Sequence, residues 1–208
     1  MAERIRLYAE NPQPRLIKQA VDVLADGGII IIPTDTVYSF AADIRKPRAL
    51  EKLARLKHIK MQQANFSFIF YDLSHLSDYT RQFDTSTYKI LKRALPGPFT
   101  FILEANNTIP KIFKSNKKTI GIRVPDNSIP REIVNMLGNP IATTSIHDDD
   151  EILEYTTDPD LIFEKWASQV DLFVDGGYGD NDASTVIDLS SGAPELVREG
   201  KGDPSLII

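Results

Sequence analysis

Hydrophobic and polar positions alternate along this chain with periods that name its elements. Leu16, Ile17, Ala20, Val21 and Leu24 recur at helical spacing,. Asn11-Pro12 supplies a helix start ahead of them and Gly27-Gly28 a stop behind them,. Ile29-Ile30-Ile31-Ile32 then forms a short β-branched run that predicts a buried strand,. Pro33 cannot donate to a ladder, so the chain leaves the sheet there. Thr34-Asp35-Thr36-Val37-Tyr38 follows, with hydroxyls and a carboxylate at the strand's carboxyl end. Two readings are open: an Asx/ST turn, or a ligand site of the kind found outside the carboxyl ends of strands in open α/β sheets.

A second helix is predicted from about Pro47, with Leu50, Leu53, Ala54 and Lys57 on one stripe. Ser67 to Phe70 reads as a strand, and Asp72-Leu73-Ser74 as the opening of a short helix. Thr87 to Leu95 is predicted helical and is closed by Pro96-Gly97-Pro98. Strands are predicted at 100–103, 119–125 and 140–145, with a helix over 130–137 ended by Gly138-Asn139,. Asp160 to Ser168 reads as a helix and Val170 to Val174 as a strand. Thr185 to Leu189 and Leu196 to Arg198 read as a closing strand pair. Irregular alternation of strands and helices, without repeats or linkers, predicts one α/β domain over 1–208 built on a mixed sheet.

The 208 residues are 42% hydrophobic and 25% charged, enough for a substantial core,. The absence of cysteine excludes disulfides, thiolate metal sites and cysteine nucleophiles,. No run approaches the roughly 20 apolar residues of a membrane span. The first residues lack the apolar stretch of a secretory signal, so a cytoplasmic location is expected. The net charge of −5 is unevenly distributed. Residues 45–123 hold 16 Lys/Arg against 5 Asp/Glu, and the rest 8 against 24. The basic block suggests an anionic partner, nucleotide or nucleic acid, or else solvated helix faces whose charges mix again in three dimensions.

Nucleophile-elbow, Walker A and G-x-G-x-x-G motifs are absent, and the only histidines are His58, His75 and His147,. Asp148-Asp149-Asp150-Glu151 lacks the spacing of a calcium loop and reads as a solvated acidic loop,. What remains is hydroxyls at strand ends (Thr34, Thr36, Thr143, Thr144, Ser145, Ser184, Thr185) and the cations Lys57, Arg123 and Arg198. Hydroxyls orient a ligand and the cations neutralise phosphate or carboxylate, which suits a nucleotide and an amino acid. Arg123 interrupts an apolar strand and needs a partner if buried.

Pro33-Thr34-Asp35-Thr36-Val37-Tyr38 resembles the P-T-[ED]-T-x-Y-G-L signature of the YrdC/YciO family, which includes the synthase TsaC. The likeness continues through Lys57, residues 96–100, 119–125, Pro140-Ile141, Thr144-Ser145, Ser184-Thr185-Val186 and Arg198-Glu199-Gly200. It implies a twisted mixed α/β sheet with a concave, basic cavity. It implies a threonylcarbamoyl-AMP synthase-like nucleotidyltransferase, joining L-threonine, bicarbonate and ATP, with Mg²⁺, into threonylcarbamoyl adenylate and pyrophosphate for tRNA modification. By the same resemblance, Thr34, Arg123, Thr143 and Ser184 would hold threonine. Lys57, Thr119, Ser145 and Arg198 would hold the nucleotide. The alternative that it implies is a protein that binds double-stranded RNA or tRNA without turnover.

The departures from that pattern resemble the YciO branch. Ile59 and Ile69 stand where synthases carry arginine and histidine, Asn65-Phe66 replaces a Pro-Leu pair, and Ser145-Ile146-His147 replaces Ser-Ala-Asn. Ser39 follows the signature tyrosine in place of glycine, and Lys60 adds a charge without reproducing an arginine fork,. These changes are expected to weaken or alter synthase activity.

Overall fold

The isoleucine run lies deep in the sheet, with every side chain of Ile30–Ile32 buried. Ile29 and Ile31 pack into one apolar cluster and Ile30 and Ile32 into another, so both faces of this strand are covered. That is why the run is continuous rather than alternating. The computed structural model describes residues 1–113, 118–146 and 157–208. Lys114, Lys117 and the stretch His147 to Glu151 lie outside the described residues.

In chain order the strands are β1 (Glu3–Arg6), β2 (Ile30–Ile32), β3 (Ser39–Asp43), β4 (Ser67–Ile69) and β5 (Phe99–Glu104). Then come β6 (Thr119–Arg123), β7 (Ile141–Ser145), β8 (Leu172–Asp175), β9 (Thr185–Asp188) and β10 (Glu195–Arg198). The helices are α1 (Pro14–Ala25), α2 (Pro47–Leu56), α3 (Thr85–Ala94), α4 (Thr108–Phe113), α5 (Ser128–Leu137) and α6 (Pro159–Trp166). The strands form one sheet in the order β1-β8-β2-β3-β7-β4-β6-β5-β9-β10. Parallel pairs (β1/β8, β2/β8, β4/β6, β5/β9) and antiparallel pairs coexist, so the sheet is mixed, as expected.

Several local expectations change. Helix α1 starts at Pro14, because Gln13 precedes a proline and is held extended at ψ 123°, which bars a start at Asn11-Pro12,. Asp72 accepts the Ser74 N–H in a turn, and only a single 3₁₀ turn, Leu76–Asp78, follows in place of the expected helix. Strands β1 and β3 and helix α4 have no counterpart in the apolar periodicity.

One sheet face carries α2, α3 and α6 over a cluster that includes Leu53, Leu91 and Trp166 and the strand residues Phe40, Phe68, Phe101 and Phe173. The opposite face carries α1 and α5, whose Ile17, Leu24, Ile129 and Ile133 pack on Ala41, Ile69 and Ile141. These two helices cover only part of that face. Beyond them the strand residues turn from apolar to polar: Ile141 gives way to Thr143 and Ser145, Ile69 to Ser67, and Ala41 to Ser39.

A hydroxyl-lined cavity on the uncovered face

The uncovered face is the floor of a cavity of about 730 Å³, within the range of small-molecule sites,. Strand alternation decides what it contains. On β6, Ile120 and Ile122 point into the core, and Thr119, Gly121 and Arg123 line the cavity. On β5, Phe99, Phe101 and Leu103 go inward, and Thr100 and Ile102 line it. Thr143, Ser145, Ser67, Ser184 and Arg198 complete the polar wall, and Lys57 reaches it from the end of α2. Seven of the eight residues to which the resemblance assigns a ligand therefore meet in one cavity: Lys57, Thr119, Arg123, Thr143, Ser145, Ser184 and Arg198. Thr185 points the other way, donating to the Gly202 carbonyl at 2.5 Å.

The exception is Thr34. Its hydroxyl donates to the Val37 carbonyl (2.8 Å) and accepts the Thr36 N–H (3.0 Å). With its one proton committed, the 3.1 Å contact to Thr36 has the Thr36 hydroxyl as donor,. The Thr34 oxygen is thus saturated inside the turn. The residue lines a neighbouring cavity of about 380 Å³ with Asp35, Asp126, Asp180 and Lys201. Thr34 therefore shapes the turn, and Thr36, which lines both cavities, is the hydroxyl that the turn presents.

That turn organises Arg123. The guanidinium is buried, and its Nη2 donates to Asp35 Oδ1 at 2.8 Å and to the Thr36 hydroxyl at 3.0 Å. Asp35 is held in turn by the Asp126 N–H on Oδ2 (2.9 Å) and by Lys201 Nζ on its backbone carbonyl (2.7 Å). Burial lowers the pKa of Arg123 and Asp35 opposes that shift, while Arg198 adds to it. The Nε atom of Arg123 is buried and has no hydrogen-bond partner among the described residues. One side of the fork is therefore used by the protein, and the group has donor capacity left.

The far wall is equally built. Ser184 and Thr100 share a hydrogen bond at 2.7 Å, and Arg198 Nη2 donates to the Ser184 carbonyl at 2.9 Å. Gly200 crosses behind this wall so closely that a Cβ there would meet the Ala183 carbonyl oxygen and lie 2.8 Å from the Ser184 carbonyl carbon,. Thr143 donates to the Ser67 carbonyl at 3.2 Å.

The departures fall in different places. Asn65, Phe66 and Ser39 line the cavity. Ile59 is 38% exposed and, like Lys60, is not among the lining residues. Ile69 is fully buried with the α5 residues and packs the core, not the cavity, because it lies one alternation beyond Ser67. Ser67, Thr100 and Asp188 line the cavity without having been singled out. The signal available for them was a polar residue at every second position of an otherwise apolar strand. The charge blocks also mix: Lys52 of the basic block pairs with Asp171 at 2.8 Å.

The family model for Sua5, YciO and YrdC proteins, described as telomere recombination, matches residues 22–200. The chain belongs to this family. YciO of Escherichia coli K12 is 37% identical over 205 residues, covering 98% of each chain. The crystal structure of E. coli YciO superposes with a TM-score of 0.90 at 35% identity over 100% of both chains. The threonylcarbamoyl-AMP synthase of Bos taurus is 27% identical over 205 residues, 92% of this chain and 72% of that protein. Sua5 of P. abyssi, crystallised with L-threonine, shares the fold at a TM-score of 0.83 and 22% identity. It matches 96% of this chain and 57% of its own. The resemblance to YciO thus exceeds that to the synthases, in line with the departures.

Proposed function

We propose that the cavity binds ATP and an α-amino acid, L-threonine being the first candidate, and forms threonylcarbamoyl adenylate with altered or weakened efficiency. The observation that carries this reading is Arg123: a buried guanidinium, half used by Asp35 and Thr36, in the wall of a hydroxyl-lined cavity. A planar fork with spare donors suits a carboxylate. Thr143 and Ser184 offer hydroxyls elsewhere in the same cavity wall. Lys57 and Arg198 would balance phosphate charge, with Thr119 and Ser145 as further polar contacts. In the reaction, a carbamate oxygen of N-carboxythreonine attacks the α-phosphorus. A new P–O bond forms, the bond to the bridging oxygen breaks, and pyrophosphate leaves with the electron pair. The chain's own contribution is positioning and charge stabilisation.

Among the described residues no cluster of three His, Asp or Glu side chains could hold a metal, and Asp188 is the one carboxylate of the cavity wall. In this reading magnesium is part of the substrate and arrives on the phosphates of ATP. No helix among the described residues is long and apolar enough to cross a membrane.

The test is pyrophosphate release from ATP and bicarbonate, with and without L-threonine, in the wild type and in Arg123→Ala and Arg198→Ala. Threonine-dependent release lost in both variants supports the reading. ATP binding without release would leave a binding protein, and no ATP binding would remove the nucleotide site. A second reading, RNA backbone binding, draws on Arg45, Arg48, Arg55 and Lys60, exposed on and around α2 next to Lys57. It would show as affinity falling steeply with added salt.

A further inference from the structure

The cavity has two electrical ends, and the strand register separates them. Val186 of β9 is opposite Arg198 of β10, and Thr100 of β5 is opposite Val186. Arg123, the next residue of β6 after Ile122, continues this row. The row is therefore cationic. Two residues along β9, Asp188 is opposite Ile102, which is opposite Gly121. This second row is about 7 Å from the first along the strand direction. Its floor is a glycine and an isoleucine, and among the described residues its one ionisable cavity side chain is Asp188.

Asp188 is fixed. Its Oδ1 accepts the Ser190 N–H at 2.7 Å, which sets the side-chain rotamer at the end of β9. Its other oxygen has no partner among the described residues. A carboxylate here repels phosphate and attracts hydrogen-bond donors. A nucleotide bound to the cationic row must then turn its phosphates away from Asp188 and offer it a neutral donor. The ribose hydroxyls are the donors nearest the 5′-phosphate, and an acidic side chain at the end of a strand reads them in the same way in dinucleotide-binding folds.

We infer that Asp188 is the ribose-reading residue of this cavity. It accepts a hydrogen bond from the 2′- or 3′-hydroxyl through the oxygen that Ser190 leaves open, and it selects nucleotides that carry these hydroxyls over dideoxynucleotides. The inference rests on the nucleotide reading above and adds to it an orientation and a specificity. Gly121 supports it: a Cβ there would stand 3.3 Å from Thr100 Cγ2 and 3.5 Å from Ser67 Oγ, so the floor beside Asp188 is open because this residue is glycine.

The experiment measures dissociation constants for ATP and for 2′,3′-dideoxy-ATP by calorimetry, in the wild type and in Asp188→Asn and Asp188→Ala. Asn keeps an acceptor for Ser190 and so keeps the strand end, which isolates the charge. The expected result is a preference for ATP of about tenfold or more in the wild type, the effect of one charge-assisted hydrogen bond. That preference should collapse towards unity in both variants, with dideoxy-ATP affinity unchanged or improved as a repulsive charge disappears. A wild type that binds both nucleotides equally, or a preference that survives in Asp188→Asn, would overturn the role of Asp188 while leaving the nucleotide site standing. Failure of the wild type to bind either nucleotide would overturn the nucleotide reading itself, and this inference with it.

Discussion

Arg123 and Asp35 meet at 2.8 Å with their side chains only 6% and 8% exposed. Strand β6 and the turn after β2 are thus joined by a buried ion pair in the cavity wall. Removing one member of such a pair leaves an uncompensated charge, at a cost of about 3–5 kcal/mol. Asp35→Ala is expected to lower stability by that amount and to loosen the arginine. Asp35→Asn, which keeps an acceptor, should lose less. Urea unfolding midpoints check the order. A midpoint for Asp35→Ala equal to that of the wild type would mean that the pair does not hold the turn.

Tyr38 shows why part of the family signature is structural. Its hydroxyl donates to the Gly177 carbonyl (2.6 Å) and accepts the Gly176 N–H (3.0 Å). Burial, partly opposed by the Gly176 hydrogen bond, pushes its pKa up to about 12. Tyr38→Phe strands two main-chain groups and is expected to cost about 1–3 kcal/mol. Pyrophosphate release per folded molecule should be unchanged, because Tyr38 is absent from the cavity wall. A large loss of turnover without loss of stability would contradict this separation.

The fold was legible where the pattern was strong. The isoleucine run, the helix ended by Gly27-Gly28 and the strand pair at 185–198 emerge near their predicted positions. β1 was illegible because its sequence is Glu-Arg-Ile-Arg, with one apolar residue. It is held by Arg4 and Arg6 on Asp175, a partner 171 and 169 residues away that no local window contains. β3 begins with the serine that follows the signature turn and reads as its continuation. The cavity residues were legible one by one, as hydroxyls and cations in or beside strands. Their convergence was legible only through the family resemblance and not from the residues themselves, since it depends on which strands α1 and α5 leave uncovered. The same cause misplaced Ile69: position in the motif suggested the site, but α5 extends over it.

Gly121 separates cavity volume from stability. Its φ is not in the left-handed region, so a strand residue can replace it without backbone strain,. Gly121→Val should fold, at a cost limited to local adjustment around Thr100 and Ser67. From its place two residues along β6 from Arg123, the branched side chain would fill the floor beside Asp188. Nucleotide and amino-acid binding should fall at least tenfold, while the thermal midpoint stays within a few degrees of the wild type. Unaltered binding in a folded Gly121→Val protein would place the ligands elsewhere.

Asp175 gives stability a defined pH dependence. Its side chain is 3% exposed, and burial alone would raise its pKa. Hydrogen bonds from Arg4 (2.6 Å), from the Gly177 N–H (2.9 Å) and from Arg6 (2.9 Å) outweigh burial and hold it below the ordinary carboxylate value. A folded pKa below the unfolded value of about 3.9 means that the carboxyl group binds fewer protons when folded than when unfolded, so the charged form is favoured by folding. The contribution is therefore complete above that value and is lost as pH falls through the lower folded value. Asp175→Asn should be less stable than the wild type at neutral pH. The gap should narrow only below about pH 4, where the wild-type carboxylate takes up its proton. Denaturant midpoints of both proteins from neutral pH to about pH 3 measure the gap directly. A gap independent of pH would assign the loss to hydrogen-bond geometry rather than to charge.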